Sequence, residues 1–467
     1  MSLNLFEIGK SALLASRRAM DVTGHNVANA ATPGYSRQEV VLQPIVQRET
    51  TVSGMGVRVT QIRRLRDFFT DCVLRNENAN RAFFAVQRDV MDQIQVMSAE
   101  SSDSGLRAAI ENFWIGWQEL SISPDSEPAR TALLEQGRSL IDMFRHMAGQ
   151  LDSLQEDIGK NIDANIQRLN SLAETVATLN AEIGRAAARQ SPMGDLLDRR
   201  DLLLDEIAEM SGASVSQYND GTLAVRVTVN GYPLVDRTSS FKLAAKPTPE
   251  GGVEYAWIDK AGDSQVVSNV GGKLGGLATS KNELVHGFKE NLELLLRDIV
   301  DMVNGQYSRG GVFDPSDPPA QPPFFVVGDP NDYLSTARVA FDDPADLVVW
   351  DGYPSRPGNG LNALKIASLL EKGGTVDGQG YVSPIDTWIA AIGELGTQGQ
   401  RIDNGLDTQE LLVKEIQNRK DSISGVSIDE EMANLIREQH AFSAASRLIS
   451  TADELLDTVI NRMGAGR

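Results

Sequence analysis

Residues 3–29 read LNLFEIGKSALLASRRAMDVTGHNVAN, and residues 428–463 read IDEEMANLIREQHAFSAASRLISTADELLDTVINRM. In the first stretch Phe6, Leu13, Met20 and Val27 fall seven apart, with Leu3 and Ala12 beside them. In the second, Leu435, Phe442, Ile449, Leu456 and Met463 repeat the spacing, and Ala445, Leu448, Ala452, Leu455 and Val459 widen the face. A seven-residue apolar repeat places its members on one seam of a helix. The chain is therefore expected to begin and end in amphipathic helices of roughly seven and ten turns. The seam residues Leu3, Phe6, Leu13, Met20, Val27, Leu435, Phe442, Ile449, Leu456 and Met463 are candidate subunit-interface positions. Two readings of the seams stand. The end helices pair with each other inside one compact monomer, or they pair and still present a face to neighbouring copies. No third apolar helix adjacent in sequence covers them, which favours the second.

Signals at the helix ends agree. Asn26 and Asn29 suit the end of the first helix, and Thr32-Pro33-Gly34-Tyr35 then reads as a turn. Proline fixes φ at its first central position, and glycine accepts φ > 0 at the second. Ser427 and Glu430 make an S-x-x-E capping box, and Asp429, Glu430 and Glu431 put negative charge at the start of the last helix. Gly425 lets the chain turn in.

Between the ends the pattern alternates. Val40–Leu42 and Gly56–Ile62 read as a strand pair. Asp67–Met97 and Gly105–Leu120 read as helices, the second stopped by Ser123-Pro124. Ser126 and Pro128 suit the first turn of the next, and residues 129–189 hold no proline. An unbroken helix of that span would be on the order of 90 Å long; Gly149 and Gly159 offer places for a break. From about Ser211 strands take over, with a hairpin signal at Asn219-Asp220-Gly221, as far as Val270. Glu283–Tyr307 is helical. Prolines 315, 318, 319, 322, 323, 330, 344, 354 and 357 then mark a surface loop or small irregular β unit. Helical spacing returns over Asp386–Ser422.

Composition bounds the function. The chain has 467 residues, enough for about three domains. With 41% hydrophobic and 23% charged residues it is a folded protein. Aromatics are 6%, so the core is expected to lean on aliphatic residues. Acids outnumber Lys and Arg by 64 to 44, for a net charge of −20, which argues against nucleic-acid binding. The Arg63, Arg64 and Arg66 cluster is expected to cap or pair locally. The single cysteine, Cys72, excludes an internal disulfide and reads as a small hydrophobe on a helix. No apolar run approaches the ~18 residues a membrane span needs, and Met1–Met20 lacks the layout of a cleavable secretory signal. These facts taken bare read as cytosolic; they do not exclude export by a route without a cleavable signal.

No catalytic, cofactor or metal constellation emerges. His25, His146, His286 and His440 form no H-E-x-x-H and lie outside helical reach of one another. Gly271-Gly272-Lys273-Leu274-Gly275-Gly276 lacks the Ser or Thr and the spacing of a P-loop and reads as a flexible turn. Ser239-Ser240-Phe241-Lys242 matches S-x-x-K without companion motifs. Asp342-Asp343 and the Asp314–Asp317 loop read as solvated turns, with a cation site as the other reading.

Several stretches carry a resemblance. Residues 26–38, NVANAATPGYSRQ, resemble the N-terminal signature of bacterial flagellar axial proteins, including Asn29, Thr32, Pro33, Gly34 and Tyr35. Residues 424–431, SGVSIDEE, and 451–456, TADELL, are similar to their C-terminal signature, with Ser427 and Glu430 in it. The middle separates the members. WQEL at 117–120, ARTALL at 129–134, LLDRRDLLLD at 196–205, NGYPLV at 230–235 and GKLGGL at 272–277 resemble the flagellar hook-associated protein 1 family. Ser427 stands where that family usually has Asn, and Phe442 where an axial-family Tyr is common. About Asp314–Pro357 aligns with nothing in the family pattern.

The resemblance implies a structural protein of the hook–filament junction with no enzymatic activity. It implies a ring of copies on the hook protein, acceptance of the next hook-associated protein, a cytoplasmic export chaperone, and an extracellular location reached without a cleavable signal peptide. Terminal helices of the family form an inner tube and are disordered in the free monomer. No cofactor, nucleic acid or membrane insertion is expected. The expected fold is mainly α with a β insert, in discontinuous nested domains. Residues 1–36 and 425–467 pair as a terminal coiled coil, 37–210 with part of 280–424 form a long-helix rod domain, and 211–280 with 307–385 form a small β-rich outer domain. A hook or distal-rod axial protein, a wall hydrolase with axial ends, a trimeric coiled-coil adhesin and a monomeric helical scaffold are the alternatives.

Overall fold

The structure, a computed structural model, describes residues 2–45, 56–98, 105–189, 191–218, 220, 222–249, 251–310, 322–351, 358–372, 374–376 and 379–458. Helices dominate, and small sheets are inserted among them. In chain order the first elements are α1 (Ser2–Ala28), β1 (Gln38–Pro44), β2 (Val57–Arg64), α2 (Phe68–Ser98), α3 (Leu106–Ile122), α4 (Glu127–Ala188) and α5 (Gly194–Ser211). The insert follows with β3 (Ser214–Gln217), β4 (Val225–Val229), β5 (Tyr232–Asp236), β6 (Ser239–Ser240), β7 (Lys242–Pro247), β8 (Val253–Ile258) and β9 (Ser264–Val267). Next come α6 (Gly272–Thr279), a π-helical stretch Ser280–Val285, α7 (His286–Tyr307), β10 (Phe325–Val326), α8 (Tyr333–Thr336) and β11 (Arg338–Val339). The chain closes with α9 (Leu361–Ala367), α10 (Leu369–Lys372), β12 (Gly374–Val376), β13 (Gln379–Tyr381), α11 (Pro384–Ser424) and α12 (Ile428–Asp457).

The chain divides into two compact units. The first holds residues 1–81, 169–242 and 409–467; the second holds 82–168 and 243–408. These cuts fall inside α2, α4 and α11, at other places than the three-part division expected from the sequence.

In the first unit β1 and β2 pair antiparallel with a bulge at Val41/Leu42, and β3, β4, β5 and β6 form a sheet in that order. Val225, Val227 and Val229 alternate inward along β4. The tight hairpin of this sheet sits at Asn230 and Gly231, both at positive φ. An Asn-Gly pair between alternating apolar residues is the strongest short-range signal for such a turn, and it belonged with the sequence signals. Asn219 and Gly221 lie outside the described residues.

The second unit closes on rings. Phe113, Trp114, Trp117, Tyr307, Phe324 and Phe325 are all buried, with Trp117 and Phe324 centroids 5.1 Å apart and Phe324 edge-on to Phe325 at 4.8 Å. Trp114 Nε1–H donates to the Ile366 carbonyl at 3.1 Å, and Val348 N–H donates to the Tyr307 hydroxyl at 3.0 Å. Part of the proline-rich stretch is therefore core and not surface loop: Phe324, Phe325, Phe341, Leu347 and Val349 are buried. Prolines 315, 318, 319, 354 and 357 lie outside the described residues.

Other expectations also change. The α4 helix runs for 62 residues without a break at Gly149 or Gly159, since no proline removes a ladder bond. Gly271–Gly276 is not a flexible turn; from Gly272 it is helix α6. A Cβ on Gly276 would lie 2.6 Å from the Phe83 carbonyl oxygen, so glycine is needed for close approach to the α2 backbone. Asp343 caps a short 3-10 turn through Ala345 N–H at 2.8 Å, and Asp314–Asp317 lies outside the described residues. No described helix is long and apolar enough to cross a membrane.

Candidate assembly site at the chain termini

Helices α1 and α12 lie against each other antiparallel. A Cβ on Gly9 would sit 2.8 Å from Ile449 Cγ1, and at the other end Asn26 Nδ2 donates to Glu431 Oε2 at 2.8 Å. The innermost line of α1 is Gly9, Ser16 and Thr23, again seven apart, with Ala15, Val22 and Asn26 alongside. On α12 it is Glu431, Ala445 and Ala452, with Glu438 half-buried between them. Small residues allow this close approach. The apolar seam flanks that line: Phe6, Leu13, Met20, Val27, Leu435, Phe442, Ile449 and Leu456 are all half-buried. Nothing is described of the Leu3 side chain, and Met463 lies outside the described residues. A further stripe on α12 faces outward, with Ile428 55%, Met432 44% and Ile436 51% exposed. Helix α1 also has a cover the sequence did not disclose, namely the β1–β2 hairpin. Ser11 Oγ accepts from Val57 N–H at 3.2 Å, and a strand edge supplies donors where a third helix was looked for.

The turn after α1 forms through a Tyr35 N–H bond to the Thr32 carbonyl at 3.2 Å, with Gly34 at φ +77. Gly34 also abuts Leu202 of α5, so a side chain there has neither the backbone angle nor the room. Asn29 bonds back to the His25 carbonyl at 2.9 Å through Nδ2, ending the helix. Asn26 lies inside α1 and does more than terminate it. Its Oδ1 accepts from Gln38 N–H (3.0 Å) and the Tyr35 hydroxyl (2.7 Å), and its Nδ2 donates to the Gln38 carbonyl (2.9 Å) as well as to Glu431. All of its bonding capacity is used. Burial first, then the charges of Asp198, Asp195 and Glu431, raise the Tyr35 hydroxyl well above its ordinary range, so it remains a donor.

At the α12 start Ser427 Oγ accepts from Glu430 N–H at 3.4 Å, one half of the capping box. The other half is absent: Glu430 Oε2 accepts from Arg37 Nη1 at 3.0 Å instead. Glu431, 2% exposed, is held by Arg37 through Nε at 2.9 Å and Nη2 at 2.8 Å. The residues after the turn thus join both ends of the chain.

A carboxylate–guanidinium cluster continues from there. On α5, Asp198, Asp201 and Asp205 share one face at spacings of three and four. Arg64 Nη1 reaches Asp198 at 2.6 Å and Asp201 at 2.9 Å; Arg66 reaches Asp201 at 2.8 Å and also pairs with Asp71. Arg75 pairs with Asp205 at 2.6 Å, and Lys420 lies 3.4 Å from Asp71. Burial by itself would raise the Asp201 carboxyl, but Arg66, Arg64, Arg200 and Arg75 hold it below the ordinary carboxylate range. Burial pulls Arg200 down to about 10, against Asp201 and with Arg64, Arg75 and Arg66; it stays charged at neutral pH. Its Nη1 donates to Asn180 Oδ1 and the Leu223 carbonyl.

The basic cluster pairs locally, as expected, only in part. Arg63 pairs across the hairpin with Glu39 and Arg66 with nearby Asp71, but Arg64 and Arg66 also reach acids more than 130 positions away. The signal was present as three acids on one helical face and two arginines two positions apart, Arg64 at the end of β2 and Arg66 just past it. What was missing was the fold that brings them together. Cys72 is half-buried with its thiol directed at the Val215 carbonyl (3.8 Å), and burial raises its pKa, which leaves it unactivated.

This geometry joins the two terminal signatures in one place, and comparison with known proteins gives its context. Residues 91–318 match the family described as flagellar hook-associated protein FlgK helical domain. Residues 6–35 match flagella basal body rod protein, and 421–463 match flagellar basal body rod FlgEFG protein C-terminal. The flagellar hook-associated protein 1 of Bacillus subtilis is 28% identical, over 98% of this chain and 98% of its own. That of Salmonella typhimurium is 24% identical, over 98% and 99%. Over nearly its whole length the chain is similar to the flagellar hook-associated protein 1 family. The fold agrees with that of the flagellar hook junction protein FlgK from Burkholderia pseudomallei, at TM-score 0.65 and 14% identity over 75% of this chain and 100% of that one. Like the flagellar hook-associated proteins it resembles, it is a structural component of the bacterial flagellum and not an enzyme.

Proposed function

We propose that the chain forms the junction between hook and filament by assembling with copies of itself through α1 and α12. The observation that carries this reading is the antiparallel terminal pair, fastened at Asn26, Arg37 and Glu431 while its apolar seam stays half-buried and Ile428, Met432 and Ile436 stay exposed. An apolar stripe on a helix that a single chain leaves part-wet is suited to a neighbouring copy. A ring of such copies sits on the hook protein and receives the next hook-associated protein. In this arrangement residues 1–36 and 425–467 are a coiled coil at the inner tube. Residues 37–210 with part of 280–424 serve as a long-helix rod domain, and 211–280 with 307–385 as a small β-rich outer domain. The chain leaves the cell without a cleavable signal peptide, and an export chaperone covers the C-terminal stripe beforehand. Ordering of the ends is coupled to assembly, where burial against neighbours offsets the entropy lost.

Purified protein imaged on isolated hooks tests the junction role directly: caps on hook ends are expected, and bare ends would overturn it. Ile449→Asp places a charge on the seam and is expected to abolish capping while the circular dichroism of the long helices persists. Strong hydrogen-exchange protection of both ends in the lone subunit would refute the coupling of ordering to assembly.

A further inference from the structure

Ser36 and Arg37 are consecutive residues between the Pro33-Gly34 turn and β1, and their side chains reach different helices. Ser36 donates to Asp198 of α5, through Oγ at 2.9 Å and N–H at 3.4 Å. Arg37 grips Glu431 of α12. The backbone between is pinned: Arg37 N–H donates to the Ser424 carbonyl at 3.1 Å, and its own carbonyl accepts from Leu65 N–H at 2.7 Å. Asp198 in turn is anchored by Arg64.

We propose that Ser36 and Arg37 act as a two-sided clamp, which makes Asp198 a positioning residue for docking of the C-terminal helix. The inference rests on the assembly reading above. Its physical content is as follows. Glu431 is buried and tolerable only while Arg37 faces it; a buried charge without its partner opposes docking of α12. Arg37 faces it only while the segment keeps this path, and Asp198 is the wall that holds Ser36. Loss of either wall frees the segment, so the two carboxylates act through one element with two states. Direct repulsion between them would give the opposite sign, with the double variant worse than the sum of the singles.

The test is a double-variant cycle on the full-length chain, read as the concentration that half-saturates isolated hook ends. Asp198→Asn and Glu431→Gln are each expected to raise that concentration by about tenfold, and the double variant by no more than the larger single effect. A double variant at the product of the singles, about a hundredfold, or beyond it overturns the clamp. Ser36→Ala, which keeps both carboxylates and Arg64, is expected to raise the concentration as well; wild-type behaviour overturns the clamp. Hydrogen exchange in α3 and α7 reports whether a variant still folds. If Asp198→Asn fails that control, Ser36→Ala with Glu431→Gln carries the cycle. If the wild-type chain does not cap hooks, the assembly reading falls, and the cycle is read on exchange protection of α12, where additive losses overturn the clamp.

Discussion

In the 82–168/243–408 unit, Phe113, Trp114, Trp117, Tyr307, Phe324 and Phe325 meet ring to ring; in the other unit, Arg64, Arg66 and Arg75 meet Asp71, Asp198, Asp201 and Asp205. Both clusters join segments far apart in the chain, but by different physics. Burial of rings is non-directional and roughly proportional to area. Carboxylate–guanidinium pairs are directional, and each is favourable only when its partner is in place. The contribution of the ring core involves no ionised group and so does not follow the charge state of the chain. The ionic junction instead specifies which segments meet, and it does so where both ends of the chain arrive.

The difference can be broken or sharpened by experiment. The largest effect is expected for Trp117→Ala, a loss of about 3–5 kcal/mol in the ring-built unit, read by denaturant unfolding and independent of pH from roughly 3 to 8, since the rings carry no group that titrates there. A loss under about 1 kcal/mol would mean that the rings are not what holds that unit. Glu431→Ala is expected to cost about 3 kcal/mol in the ionic unit, the lower end for breaking a buried pair, because Arg37 keeps some contact with water. Hydrogen exchange on chains assembled on hook ends should place that loss at α12 and the 35–38 segment and leave α3 and α7 unchanged.

Acid provides a graded version of the same comparison. The Asp201 carboxyl is held below the ordinary carboxylate range in the folded chain, so its contribution is present above the unfolded value of about 4. It is lost as pH falls through the folded value, where both states become protonated. Exchange in α5 and at the 64–66 segment is therefore expected to rise in acid before exchange around Trp117 does; the reverse order would undo the contrast. Smallest is Arg63→Ala, expected within about 0.5 kcal/mol, since its pair with Glu39 is exposed on both sides. A large effect there would show that position on the surface does not govern the value of these charges.

The sequence disclosed helices where periodicity was long and uninterrupted. The α1, α2, α4, α11 and α12 spans agree with it to within a few residues, since 3.6-residue spacing and caps are local properties. It disclosed the Pro33-Gly34 turn for the same reason. It placed Ala445 and Ala452 on the C-terminal face but did not single out Gly9, Ser16 and Thr23 on α1, whose small size matters only once two helices approach. It read Gly275 and Gly276 as slack, when Phe83 of another helix needs their emptiness.

By itself, then, the sequence determined the helical ends, their apolar seams and the terminal signatures, all carried by residues within a turn or two of each other. Only the tertiary structure decided that Arg64 and Arg66 meet Asp198 and Asp201, that Arg37 meets Glu431, and that a proline-rich stretch supplies Phe324 to a core. The reason is that charge pairing and ring packing depend on separation in space, and no spacing along the chain encodes contacts across more than a hundred residues.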